Sequence, residues 1–195
     1  GQSITLSSSK PIRIGYTFTG WNTSSDGSGT SYSVGATYSN NANVTLYAQW
    51  KINKVYIKLN ANGGSVTKET SKGGTYTTDS SGIISRNGNN IFHNINYGNK
   101  MNSSGLANYN NKDYLYITRS GYSVIDNQEW ICLSGCSTSN KVYSQSSQYS
   151  SNDFCNALNG DCTVVLGVNW KNVYTISYDA NGGRNAPSNQ TKIYG

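Results

Sequence analysis

Two stretches of the chain, residues 12–51 and 117–171, carry the same landmarks in the same order. The first reads IRIGYTFTGW, then YSVGATYSNNA, then NVTLYAQWK. The second reads ITRSGYSVIDNQEW, then YSQSSQYSSN, then CTVVLGVNWK. Arg13 matches Arg119, Gly15 matches Gly121, Tyr16 matches Tyr122, and Trp21 matches Trp130. Tyr32 then matches Tyr143, Tyr38 matches Tyr149, and Trp50 matches Trp170. Both copies keep a six-residue step between their paired tyrosines, and all four tryptophans fall on anchors. The second copy is longer by three residues before its first tryptophan, two after it and nine before its last strand. A repeat limits what a chain can fold into, because each unit must hide its apolar face within itself or on a neighbour.

A further pair of segments matches. Residues 55–64 read VYIKLNANGG and residues 173–183 read VYTISYDANGG, each just after a WK pair. Downstream, NINYG ends at Gly98 and TKIYG ends at Gly195. One unit therefore runs strand–ANGG, YG, R-x-GY, W, Y-x5-Y, then a strand ending in WK. This order predicts three parts: residues 1–51 as the later part of a first repeat, 52–171 as a complete, expanded repeat with four cysteines, and 172–195 as the opening strands of a further repeat.

Composition supplies the fold class. The chain holds 29 Ser, 27 Asn and 17 Thr, more than a third of its 195 residues, with 21 Gly and 16 Tyr. Charged residues are only 12% and aromatics 12%, the reverse of the disordered signature. Tyr, Thr, Val and Ile between Gly and Asn turns describe short strands, so the class is mainly β. No apolar run approaches the ~18 residues of a membrane-spanning helix. Any secretion signal is expected to lie outside these residues. The net charge is +6, yet the 15 Lys and Arg are scattered singly. A nucleic-acid partner, which needs its cations gathered on one face, is not expected. Weak attraction to anionic polymers such as bacterial wall components is compatible with the charge.

The run SYDANGG, YG, R-x-GYTFTGW and LYAQWK resembles the Listeria–Bacteroides repeat, the internalin B-type B repeat. The resemblance is close over 173–195 and 1–51. It is looser over 52–171, where GYSVIDNQEW stands in place of GYTFTGW and insertions enlarge the unit. It implies a small β-grasp-like fold, tandem modules on a bacterial surface protein, and a stalk or adhesion role rather than catalysis. The expected location is the extracellular face of a bacterial cell.

The residues give reasons for the landmarks. Val44, Leu46, Ala48 and Trp50 alternate with Thr45, Tyr47 and Gln49, as do Val164, Leu166, Val168 and Trp170 with their neighbours. This period of two is that of a strand over a core. Trp21, Trp50, Trp130 and Trp170 are expected in that core rather than stacked on sugars. Asn62-Gly63 and Asn181-Gly182 are turn signals; a phosphate-binding loop would need a following helix and a Lys-Ser/Thr ending. Ser151 to Gly160 reads as a short helix capped by Ser151 or Asn152, with Phe154, Ala157 and Leu158 on one face. Residues 65–90 and 99–113 read as surface loops, with room for a short hairpin.

The cysteine spacing, C-x3-C then C-x6-C, fits paired zinc knuckles poorly and suits two disulfides in an oxidising compartment. If the strand through Trp130 lies antiparallel to the one ending at Trp170, nested bridges Cys132–Cys162 and Cys136–Cys155 are expected. The rival scheme is local, Cys132–Cys136 with Cys155–Cys162.

No catalytic, cofactor or metal site is expected. His93 is the lone histidine, and Cys132 would be its only thiol partner, without a local signature. The acids Asp26, Glu69, Asp79, Asp113, Asp126, Glu129, Asp153, Asp161 and Asp179 are dispersed. Lys58 and Asn169, beside Glu129 or Asp126, form a conceivable isopeptide pair.

Two functional readings follow. One is a structural module of a bacterial surface array or fibre, serving spacing, assembly or an adhesion stalk. The other is an adhesin module whose exposed tyrosines bind surface glycans or a host protein. Under the first, the partner is another copy of the chain or the next repeat of an array. Val173, Tyr174, Ile176, Tyr178, Ile193 and Tyr194 would form the self-assembly segment, which completes the head of its neighbour and so builds a filament.

Overall fold

A computed structural model describes residues 1–68, 75–90, 93–102, 108–109, 113–123, 129–144 and 147–194. The chain is mainly β, as its composition implies. The first segment holds β1 (Ile4–Thr5), β2 (Tyr16–Asn22), β3 (Ser31–Tyr32), β4 (Thr37–Tyr38) and β5 (Tyr47–Ile52). β2 lies between β3 and β5, antiparallel to both, and β1 pairs with β4.

The long middle segment opens with β6 (Lys54–Asn60), β7 (Ser65–Lys68), β8 (Tyr76–Thr78), β9 (Ile84–Arg86) and β10 (His93–Asn96). It continues through β11 (Lys100–Asn102), β12 (Asn108–Tyr109), β13 (Asp113–Thr118), β14 (Tyr122–Ser123) and β15 (Trp130–Ser134). β16 (Val142–Tyr143), β17 (Gln148–Ser150), the helix α1 (Ser151–Phe154) and β18 (Cys162–Val168) complete it. The chain then forms a hairpin of β19 (Lys171–Ile176) and β20 (Gln190–Tyr194).

The middle segment is organised by a five-stranded sheet in the order β10-β6-β18-β15-β16. Its two central strands, β6 and β18, run parallel, from Cys162 opposite Val55 to Gly167 opposite Asn60. The alternation read from the sequence sets the buried face. Val55, Ile57 and Leu59 of β6 and Val164, Leu166 and Val168 of β18 are all fully buried. Each such side chain contributes roughly 1.5–3 kcal/mol of burial. Trp130 of β15 is fully buried in the same core, and Trp170 packs against it half-exposed.

An aromatic group closes one end. Tyr143 stacks on Phe154 with ring centroids 4.9 Å apart, and Tyr149 meets both edge-on. The Tyr143 hydroxyl donates to the Asp153 carbonyl at 2.8 Å. Burial pushes the Tyr143 phenol up to about 12. The helix beneath it is shorter than expected, and Ser150 is its cap. The Asp153 carboxylate accepts from the Ser150 backbone N–H and hydroxyl, at 2.8 and 2.9 Å. After Phe154 the chain is extended at Cys155, which is bridged to Cys162, and Ala157 reaches the core from an irregular segment while Leu158 is half-buried.

Three expectations are corrected. The disulfides are local, Cys132–Cys136 and Cys155–Cys162, and not the nested Cys132–Cys162 and Cys136–Cys155. The antiparallel pairing of β15 with β18 is present, but its register sets Cys132 opposite Leu166 and bulges between Cys132 and Ser134. Cys162 therefore lies four residues further along β18, out of reach. Trp21 and Trp50 are half-exposed and lie outside the buried core; among the described residues the sheet carrying them has only three strands. The stretch 65–90 holds the short hairpin for which it had room, β8 with β9, but it is not all surface: Ile84 is fully buried, and Ile117 of β13 joins the same core. Residues 69–74 of that stretch, and 103–107 and 110–112 of the stretch 99–113, lie outside the described residues, as does Asp126.

Candidate interaction surface

The first segment reproduces, pair for pair, the late half of the middle segment. Trp21 lies opposite Tyr32 and Ala48; Trp130 lies opposite Tyr143 and Val168. Ile4 lies opposite Tyr38; Met101 lies opposite Tyr149. Thr17 pairs with Lys51 as Ser123 pairs with Lys171. The closing hairpin likewise reproduces the early half. Tyr174 and Ile176 pair with Lys192 and Gln190, as Val55 and Ile57 pair with Ile95 and His93. Both hairpins open with the same turn. Asn62 (φ 48°) and Gly63 (φ 82°) precede a Gly64 N–H to Ala61 O bond; Asn181 (φ 43°) and Gly182 (φ 87°) precede Gly183 N–H to Ala180 O. Counting back from these turns sets Tyr174, Ile176 and Tyr178 where Val55, Ile57 and Leu59 stand.

Burial separates the copies. Val55, Ile57 and Leu59 are 0% exposed, whereas Tyr174, Ile176 and Tyr178 are 53%, 44% and 41% exposed. Ile193 and Tyr194 are exposed as well, and Val173 is half-buried. In the first segment Val44, the counterpart of buried Val164, is 42% exposed. Residues 43–46 have no regular structure, although their counterparts 163–166 lie inside β18. β18 is flanked by β6 and β15; β5 has only β2 beside it among the described residues.

Polar contacts repeat the contrast. Within the middle segment, Trp170 Nε1 donates to Ala61 O at 3.0 Å and Asn62 Nδ2 donates to Val168 O at 3.0 Å. Arg119, whose guanidinium lies 4.0 Å above the Tyr122 ring, donates from Nη1 to Asn62 O at 3.1 Å. Arg13 lies 3.9 Å above Tyr16 in the same way. Trp50 sits edge-on to Phe18 at 5.6 Å, as does Trp21 at 5.1 Å. A cleft of about 220 Å³ opens beside Lys10, Arg13, Tyr16, Phe18 and Trp50.

β5 passes into β6 through a single residue, Asn53, which is fully buried. Its N–H donates to Gly15 O at 2.9 Å, and its carbonyl accepts from the Tyr97 N–H at 2.8 Å. Its side-chain Nδ2 donates to Ala157 O at 2.7 Å, and its Oδ1 accepts from the Thr17 hydroxyl at 2.6 Å. Lys51 adds a 3.2 Å ion pair to Asp161, whose carboxylate also accepts the Lys54 N–H at 2.9 Å. Burial alone would raise the Asp161 carboxyl, but these donors and the nearby lysines hold it below the usual range. Gly15 is forced by position: its φ is +78°, and a β-carbon there would lie within the Tyr97 ring.

The remaining polar candidates do not assemble into a reaction centre. Among the described residues no group of three or more His, Cys, Asp or Glu could hold a metal ion. His93 is half-exposed on β10. Asp26 and Asp79 are exposed turn residues, lowered by the hydroxyls of Ser24 and Ser28 (to about 2) and of Ser81 respectively. Lys141, at 2.9 Å, lowers Asp153. Asn169 Nδ2 donates to Glu129 Oε2 at 2.9 Å. Lys58 lies opposite Val165, so four strand residues, roughly 13 Å, separate it from the level of Asn169. The isopeptide pair is not brought together.

Comparison with known proteins supplies one family and one relative. The chain is 51% identical over 59 residues to a protein of Evansella cellulosilytica described as a "Putative Gly-rich membrane protein". The match covers 30% of this chain and 7% of that protein, so the chain spans a small fraction of its relative's length. No solved structure matches. No helix among the described residues is long and apolar enough to cross a membrane. The family model of the Listeria-Bacteroides repeat domain matches residues 1–49, the segment holding Arg13, Tyr16, Trp21 and the tyrosine pair. Over residues 1–49 the match supports the repeat type read from the sequence.

Proposed function

We propose that the chain is a non-catalytic structural module of a bacterial surface protein, with repeats of this kind set end to end as a spacer or stalk. The observation that carries the reading is the Asn53 junction. Successive repeats are joined by one buried residue, not by a linker, so the direction of one sheet is passed to the next. At the second junction two half-buried residues, Asn169 and Trp170, separate β18 from β19, and Val173 N–H donates to Gly121 O at 3.2 Å as Asn53 N–H does to Gly15 O. These junctions support the division into repeats at about residues 52 and 172. Numbered within the middle repeat, the sheet order is 2-1-5-3-4 with a parallel central pair, which supports the β-grasp-like expectation. The extracellular location is supported by two disulfides, by the repeat type and by a relative named as a membrane protein.

The test is backbone relaxation by NMR on the whole chain. Residues 1–52 and 53–171 should share one rotational correlation time. A distinctly shorter time for residues 1–52 would mean a flexible hinge and would exclude a spacer. The cleft beside Tyr16, Phe18 and Trp50 favours the second reading, carbohydrate binding by stacking. Glycan or mucin pull-down by the wild type, lost in Trp50→Ala, would support it.

A further inference from the structure

We propose that the loop closed by the Cys155–Cys162 disulfide is a clamp on the preceding segment, and that opening this bridge turns the stiff Asn53 junction into a hinge. The inference rests on the structural-module reading above and adds a control to it.

Contacts that cross from the first segment to the middle one converge on this loop. Gly15 N–H donates to Leu158 O at 3.2 Å. Asn53 Nδ2 donates to Ala157 O at 2.7 Å, and Asn53 Oδ1 carries the link on to the Thr17 hydroxyl of β2. Lys51 of β5 meets the Asp161 carboxylate at 3.2 Å, and that carboxylate is itself held by the Lys54 N–H at 2.9 Å. Tyr97 adds contacts at the joint: its N–H donates to Asn53 O at 2.8 Å, and its ring lies where a Gly15 β-carbon would stand. A hinge turns about such a joint, whereas the loop contacts, spread over Gly15, Thr17 and Lys51, oppose the turning.

The loop does not hold its own shape. Residues 155–161 form neither helix nor strand, and the backbone bond inside them is Ala157 N–H to Cys155 O at 3.1 Å. Cys162 is a fixed point, since it opens β18 opposite Val55. The bridge ties Cys155, which is 2% exposed, to that point and so sets where the Ala157 and Leu158 carbonyls lie. The loop falls in the stretch where the second copy is nine residues longer than the first. It is therefore an addition to the body of the repeat, cross-linked and turned toward the neighbouring segment. The Cys132–Cys136 bridge differs, because its hydrogen-bond partners Ser134 and Lys141 belong to the middle segment.

Opening the clamp takes a dithiol reductant. Its thiolate attacks the sulfur of half-buried Cys162, forming a mixed disulfide and releasing Cys155 as a thiolate that takes up a proton. The second thiol of the reductant then displaces Cys162. One protein disulfide is reduced to two thiols, and the two thiols of the reductant are oxidised to one disulfide. Residues 155–161 are then tethered to β18 through the chain alone.

The test repeats the relaxation measurement on three samples of the whole chain. These are the wild type, the wild type in dithiothreitol with its free thiols titrated, and Cys155→Ala/Cys162→Ala without reductant, in which Cys132–Cys136 stays closed. In the untreated wild type residues 1–52 and 53–171 should share one correlation time. In the other two samples the time for residues 1–52 should fall by roughly a factor of two, as for a small body on a short tether. The Gly15 amide shift should move toward the unbonded range, while the amide shifts of the β6–β18 ladder stay in place. A shared correlation time in all three samples overturns the proposal and leaves the spacer reading standing. A change in one of the two opened samples but not the other also overturns it, since the effect would not belong to this bridge. Loss of the ladder shifts in either means that the bridge holds the repeat itself, and overturns it as well. Separate times in the untreated wild type refute the spacer reading and the clamp together.

Discussion

Replacing Asn53 by aspartate exchanges one NH2 for one oxygen in a fully buried side chain, with almost no change of shape. The consequence follows from what that NH2 faces: the Ala157 carbonyl at 2.7 Å. Once ionised, the introduced carboxylate would set one of its oxygens against that carbonyl oxygen, in a buried site whose side-chain partners are the neutral Ala157 carbonyl and Thr17 hydroxyl. Asn53→Ala gives the baseline. It removes the bond to Ala157 and leaves that buried carbonyl unpaired, while the exposed Thr17 hydroxyl turns to water. The expected loss is about 2–3 kcal/mol. Asn53→Asp should cost more at pH 7, about 3–5 kcal/mol, the usual penalty of a buried uncompensated charge. The folded-state pKa of the introduced carboxyl is then raised above the unfolded ~3.9. The penalty is complete above the folded pKa and shrinks as pH falls, because a protonated carboxyl can donate to Ala157 O and still accept from Thr17. Urea unfolding followed by tryptophan fluorescence measures this. At pH 7 the order should be wild type, Ala, Asp, and the gap between wild type and Asp should narrow at about pH 4.5. An Asp variant as stable as wild type at pH 7, or a gap that does not depend on pH, would refute the junction argument.

Other expectations concern single features. Gly15→Ala should lose about 2 kcal/mol or more, from positive φ and the Tyr97 ring, whereas Gly121→Ala, at φ +78° with open space around it, should lose only about 1 kcal/mol; urea midpoints of the pair test the contrast. Reduction should cost about 2 kcal/mol per bridge, since each closes a short loop, and mapping without reductant should return Cys132–Cys136 and Cys155–Cys162 fragments. Asp153 and Asp161 have lowered folded pKa values, so the stability they provide is present above the unfolded value and lost as pH falls through the folded one. Acid titration of Lys141→Met should show Asp153 protonating at higher pH than in wild type, because the ammonium is the largest cause of its shift.

Local patterns are the legible part of this chain. Val164, Leu166 and Val168 recur at every second position and are all fully buried, and that period survives any tertiary arrangement. The ANGG turns are legible because only Asn and Gly accept two successive positive φ values cheaply. The disulfide pairing is not legible, because it depends on register, and the bulge after Cys132 is set by contacts across the sheet. Ile84 and Ile117 reach the core as isolated apolar residues in polar stretches, with no period to mark them. Trp21 has the pattern of a core residue and its counterpart Trp130 is fully buried, but Trp50 and Trp170 are both half-exposed, so the anchor pattern does not by itself fix burial. Asn53 has one weak signal, a polar residue between the strand patterns WKI and KVY.

The parallel pairing of β6 with β18 has a mechanical consequence. The middle segment begins with β6 and ends with β18. Tension applied to the two ends therefore drags these neighbours along their lengths in opposite directions. The ladder from Val55–Cys162 to Asn60–Gly167 is sheared as a block, and its hydrogen bonds must yield together, where an antiparallel terminal pair would unzip one bond at a time. The Cys132–Cys136 and Cys155–Cys162 bridges do not tie β6 to β18, so they neither reinforce this clamp nor retain much chain once it gives way. The middle segment pulled from its ends should resist until a sharp rupture and then release nearly its whole contour.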